Sequence, residues 1–172
     1  MKGHPEIGRV DPVRRGGELE LLGQYLDYHR ATLQLKCAGL DEQQLKQRAV
    51  PTTRLTLLGL VRHLTDVERG WFVRTLAGRP APPHYSSPED PDGDFDTLDS
   101  VPLEEVWRRY HAAVAEARAV LGSFASGDEP ARRAAPDQPN LRWVLLHLVE
   151  EYARHNGHAD LIRQAIDGET GE

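Results

Sequence analysis

The stretch "VLLHLVEEYARHNGHADLIRQAI", Val144 to Ile166, decides the fold. At helical spacings of three and four its apolar stripe runs through Val144, Leu148, positions 151 and 155, position 158 or 159, Ile162 and Ile166. Glu151 and His155 therefore stand in the seam that should face a core. Burying a lone ionised carboxylate costs several kcal/mol even after relaxation, a large share of the roughly 5–15 kcal/mol that keeps a domain folded. Glu151 needs a partner, and His155, one turn along the same face, is placed to converge with it on one ion.

Three further amphipathic segments precede this one. The first spans about Gly17 to Ala38, with Leu19, Leu22, Leu26, His29 and Leu33 on one face and Gly39 as a stop. The second runs from about Arg54 to Ala77, capped by Thr52 or Thr53, lined by Leu57, Leu60, Leu64, Val67 and Trp71, and ended by "GRPAPP". A third follows Ser100, with Pro102 in its first turn and Leu103, Val106, Tyr110, Val114, Ala117 and Leu121 along it. The last is capped by Asn140 and continues to Asp167, before Gly168. Runs of strand-favouring residues are nearly absent, so the chain is predicted to be all-α. Four helices of about 20 residues or more bury their stripes against one another as a four-helix bundle. The chain is expected to form a single domain over residues 1–172, ordered from about 17 to 168, with mobile termini. Roughly twenty residues before Ser100 form a long irregular connection that can carry the chain along the bundle.

Composition narrows the function. A formal charge of −6 and a pI near 5.7 argue against a nucleic-acid partner. Cys37 is the only cysteine, which excludes an internal disulfide and a cysteine-based zinc site; it reads as a small core residue. No apolar run reaches the roughly 20 residues of a membrane span, and the N-terminus lacks a signal-peptide pattern, so a cytoplasmic protein with no membrane partner is expected. G-x-S-x-G, P-loop and G-x-G-x-x-G stretches are absent. The "PEDPDGDFDTLD" run lacks the order of a calcium loop and reads as a solvated acidic loop. Trp71, Trp107 and Trp143 read as core anchors.

The second segment repeats the anomaly of the last. His63 falls between Leu60 and Val67, inside the apolar stripe. One carboxylate and two imidazoles suit a divalent transition metal and leave positions open for water or substrate. The competing reading is a hydrogen-bonded polar network with Arg154 or Tyr110. His29 also lies in a seam, His158 is near the Glu151–His155 face, and His147 shares its ladder, so each remains open as a member of the site.

The stretches "LTLLGLVRHLTDVERGWF", "LRWVLLHLVEEYARHNGHADLIRQAIDGETG" and "LGQYLDYHRATLQLKCAGL" resemble the DinB-like superfamily of metal-dependent four-helix proteins, from Glu18 onward. "VRHL" and "EYARHNGHADLIR" carry most of the likeness. The superfamily commonly pairs one histidine on its second helix with H-x-x-x-H on its fourth. Here Glu151 replaces the first of that pair, as in the mycothiol-dependent maleylpyruvate isomerases and mycothiol S-transferases. The resemblance implies up-down-down-up topology, metal ligation by His63, Glu151 and His155, zinc as the ion (nickel, iron or manganese also fit), a homodimer, and mycothiol as thiol co-substrate for a small-molecule acceptor. Thiol S-transfer is the leading expectation, with a metal-dependent hydrolase or a non-enzymatic metal- or ligand-binding stress protein as alternatives. His158 and His29 are candidates for proton transfer, and Arg154 and Arg163 for holding an anionic substrate group.

Overall fold

The computed structural model describes residues 7–171, which contain helices and no strand; the only extended pairing among them is an isolated bridge between Pro130 and Asn140. The expected mobility of the first dozen residues and of the tail falls partly on residues 1–6 and 172, outside the described residues. From Ile7 onward the chain lies against the first helix: the Val13 N–H donates to Gln24 Oε1 at 2.8 Å, and the Arg9 guanidinium sits 5.0 Å from the Tyr28 ring centre.

Helix α1 covers Glu18–Cys37, and a short α2, Glu42–Leu45, follows. Helix α3, Leu57–Glu68, begins three residues later than predicted because Thr56, not Thr52 or Thr53, caps it by accepting from the Gly59 N–H at 2.9 Å. Beyond Glu68 the helix widens into a π-helical segment, Arg69–Leu76, which the apolar spacing did not reveal. The connection to α5 contains a four-residue helix, α4, Gly93–Asp96. Helix α5 is Leu103–Leu121, and α6 is Leu141–Asp167. As predicted, the Asn140 side chain caps α6, accepting from the Trp143 N–H at 2.9 Å, and Gly168 ends it at φ 80°, a left-handed conformation suited to glycine.

Helix α1 packs mainly on α6, and α3 on α5, with α3 also meeting α6 and α1. Leu26, Leu33, Leu57, Leu60, Leu64, Val106, Tyr110, Val144, Leu148 and Ile162 are buried at their interfaces, following the stripes read from sequence. Cys37 is buried as well, and burial pushes its thiol pKa up to about 12. The tryptophans differ from expectation: Trp71 and Trp107 are partly buried, and Trp143 is 49% exposed. None of the three is a fully enclosed anchor.

A buried polar network joins all four long helices. Arg30 of α1 donates to both oxygens of Glu68 of α3, at 2.7 Å each, and Glu68 has no exposed surface. The Tyr152 hydroxyl of α6 donates to Glu68 Oε1 at 2.8 Å, and the Tyr110 hydroxyl of α5 lies 3.4 Å from both the Tyr152 hydroxyl and the Arg30 carbonyl. Burial opposes the Arg30 charge, but Glu68 outweighs it and holds the guanidinium pKa above its ordinary value. Removing Arg30 strands the Glu68 charge without water, and removing Glu68 leaves the buried Arg30 only the partly exposed Asp27 carboxylate. Glu68→Ala should lower the unfolding free energy by about 3–5 kcal/mol, read by urea denaturation, and the double variant Arg30→Met/Glu68→Leu should recover much of that loss.

Candidate metal centre

The α3–α6 seam brings the three expected ligands together. His63 Nε2 lies 3.1 Å from Glu151 Oε1, His155 Nε2 lies 3.3 Å from the same oxygen, and one donor atom from each residue falls within 4.8 Å of the others. Two donors about 2.1 Å from a tetrahedral ion lie about 3.4 Å apart, so the spacing and the donor types fit a divalent ion bound by three protein groups. Side-chain exposures of 27% for His63, 15% for Glu151 and 12% for His155 leave the cluster partly enclosed but within reach of solvent.

Each histidine is held from behind. The His63 Nδ1–H is 2.8 Å from Asp94 Oδ2, which fixes the tautomer that turns Nε2 toward Glu151. His155 Nδ1 is 3.3 Å from His158 Nδ1, an equivalent support for the other ring. Asp94 belongs to α4, in the connection that sequence reading treated as a solvated acidic loop. Instead it is only 6% exposed. The segment is pinned to α3: Arg62 donates to the Thr97 carbonyl at 2.7 Å and the Gly93 carbonyl at 2.9 Å, and Asp66 accepts from the His84 and Tyr85 N–H groups. Phe95 packs beside His63, their ring centres 5.6 Å apart, where Gly59 leaves room; a Cβ at Gly59 would come within 2.5 Å of the Phe95 ring.

Charge follows from this enclosure. Burial pushes the His155 pKa down to about 4, helped by the His63 charge against the opposing pull of Glu151. His63 goes the other way: burial opposes its charge, but Asp94 and Glu151 hold its pKa above the ordinary imidazole value. Burial would raise the Glu151 pKa, yet the two histidines keep it below the usual carboxylate range. The cluster thus offers a carboxylate and a neutral His155, while the raised pKa of His63 makes an ion compete with a proton there.

The remaining candidates lie elsewhere. His147 packs between Trp71 and Trp143, with ring centres 4.8 and 5.1 Å away, one turn before Glu151. His29 meets Asn156, whose amide nitrogen donates to the His29 carbonyl at 3.0 Å, in the α1–α6 interface. Arg163 spends its guanidinium on the Lys36 and Ala38 carbonyls at the end of α1 and on Asp167, two turns of helix beyond His155. Arg154 is exposed and pairs with Glu150 on the outer face. Neither arginine is turned toward the cluster, because each is committed to a structural contact. Tyr110 belongs to the Arg30–Glu68 network, so the alternative of a core network enclosing the triad does not form through it or through Arg154.

An all-α protein with a His, Glu, His cluster that could hold a metal ion is the class these features define. The sequence matches the model of the mycothiol S-transferase family over residues 21–168, and the chain belongs to that family, within the DinB-like superfamily it resembles. No curated protein matches the chain.

Asp94→Asn should weaken divalent-metal binding by about 10–100-fold, read by competition with a chromophoric chelator. Gly59→Leu, which pushes Phe95 and α4 outward, should weaken it in the same direction. Because ligation takes a proton from His63, metal affinity should rise as pH increases through the raised His63 pKa, and proton release on loading, measured in a weakly buffered titration, should shrink above it.

Proposed function

We propose that the protein is a divalent-metal-dependent S-transferase that uses a mycothiol-type thiol, with His63, Glu151 and His155 as its metal ligands and zinc as the simplest ion for that set. The observation that carries this reading is the meeting of the three donor atoms at 3.1–3.3 Å contacts in a chain that belongs to the mycothiol S-transferase family. The fold we propose is the DinB-like four-helix bundle, up-down-down-up, in one domain. Pairings along the helices support it. Glu18 and Arg142, at the starts of α1 and α6, are 2.7 Å apart, and the end of α1 meets Arg163 near the end of α6. His63 of α3 and Trp71 of the π segment that continues it face Glu151 and His147 in reverse order. Arg62 lies near Ser100, before α5, and Arg79, past the π segment, pairs with Glu116.

A divalent cation held by His63, Glu151 and His155 would lower the pKa of a thiol bound to it. The chain does the rest. Asp94 and His158 hold the two imidazoles in orientation, Glu151 keeps negative charge in the seam, and α4 with Phe95 limits water at the His63 side. The thiol loses its proton to solvent, its sulfur forms a bond to the electrophilic carbon of a small acceptor, and the leaving group departs with the electron pair of the broken bond. His158, touching a ligand ring, acts here as a positioning residue. A cytoplasmic setting, where thiols stay reduced, suits this chemistry.

Protein purified without a metal-affinity tag should carry about one equivalent of divalent metal by elemental analysis. With mycothiol and electrophilic acceptors it should turn over, and His63→Ala should lose metal and turnover together while keeping the wild-type circular-dichroism spectrum. Failure to take up an ion after supplementation would sink the reading.

A further inference from the structure

Beyond the triad, the α3–α6 groove continues into a feature the chemistry above leaves unused. Trp71, His147 and Trp143 are in mutual contact, with Trp71 and Trp143 ring centres 5.3 Å apart and the His147 ring stacked on Trp143 at 13°. A cavity of about 580 Å³ is lined by Trp71 and Trp143 together with Asp137, Gln138 and Asn140. Trp71 also lines a second cavity, of about 260 Å³, that reaches His63 and Asp94. The two spaces therefore share a wall and lead toward the metal ligands.

Winding explains the alignment. Eight residues of ordinary α-helix would rotate Trp71 about 80° away from His63, whereas the wider π turn, with more residues per turn, keeps it nearer the same face. On the partner helix, Trp143 lies eight residues before Glu151, about 12 Å along the axis. A small acceptor that reacts at the triad does not span that distance.

We infer that the cavity between Trp71 and Trp143 holds the hydroxyl-rich ring end of the thiol co-substrate, whose sulfur end reaches the triad. This rests on the thiol-transferase reading. A sugar-like ring presents a face of C–H groups, which packs on an indole, and an edge of hydroxyls that needs amide and carboxylate partners. The cavity supplies both. Asn140 Oδ1 is already committed to the Trp143 N–H, which leaves its amide nitrogen to donate. Among the described residues the only charged group on this cavity's wall is Asp137, which disfavours an anionic acceptor there. A cation stands instead in the smaller cavity beside His63: Arg74, which has no carboxylate partner among the described residues. The half-exposed Trp143 thus serves as a platform for a neutral or cationic polyol.

The probe is thiol-free glucosaminyl-inositol, the ring portion of mycothiol, added to the metal-loaded protein and to the chelator-treated protein while intrinsic tryptophan fluorescence is followed. Saturable quenching should occur in both, should weaken about tenfold or more in Trp143→Ala and in the surface variant Gln138→Ala, and should return in Trp143→Phe. In turnover, Trp143→Ala should raise KM for the thiol about tenfold with a smaller change in kcat. No saturable quenching, an unchanged KM, or Trp143 already shielded from acrylamide by self-association would each overturn the inference. Absence of turnover with every acceptor would defeat the transferase reading, yet the fluorescence titration would still decide the binding site.

Discussion

The contact on which the architecture turns is the ion pair of Arg30 and Glu68. Both charges are buried, so Glu68 is tolerable only while Arg30 and the Tyr152 hydroxyl stay in place, and Arg30 only while Glu68 and its helix neighbour Asp27 do. Since Arg30, Glu68, Tyr110 and Tyr152 come from α1, α3, α5 and α6, a slide of any one helix would strand a charge or a hydroxyl. Apolar stripes alone tolerate such slides far better, because one buried leucine can replace another. Glu68 follows His63 by five residues and Tyr152 follows Glu151 by one. The pairing that fixes the core thus also fixes which turn of α3 faces which turn of α6.

That coupling gives the candidate metal centre its precision. Glu151 and the two imidazoles are only partly enclosed, and the packed seam behind them sets the turns of α3 and α6 from which they meet. On the other side, Arg62 and His63, consecutive residues of α3, both grip α4, one through its carbonyls and one through Asp94. The candidate ligand His63 and its neighbour therefore hold the same segment. Order in the connection and orientation of the imidazole are two aspects of one set of contacts.

Much of this was legible in the chain. The spacing of His63 within "LVRHL" and of Glu151 and His155 within "VEEYARH" placed three polar groups on apolar stripes, and the structure brings those side chains into contact. The boundaries of α6 were readable because Asn140 and Gly168 have local roles that depend on no distant partner. Asp94 was hidden because its burial comes from contacts some thirty residues away, which no local period encodes. One signal did exist: Arg62, another charge in an apolar run, implied a polar cover over that face of α3. The Arg30–Glu68 pair had no such mark, since "HRAT" and "VERGW" resemble any solvated turn of helix. The π segment escaped for a related reason, as a change of winding leaves residue types unaltered.

Cys37 is the only cysteine in the sequence. Its sulfur lies sealed at the end of α1, with a thiol pKa near 12, so it is almost entirely protonated at physiological pH. Reactive electrophiles and small disulfides meet no competing nucleophilic sulfur on the chain among the described residues. Burial thus makes this sulfur a poor partner for mixed disulfides and for alkylation.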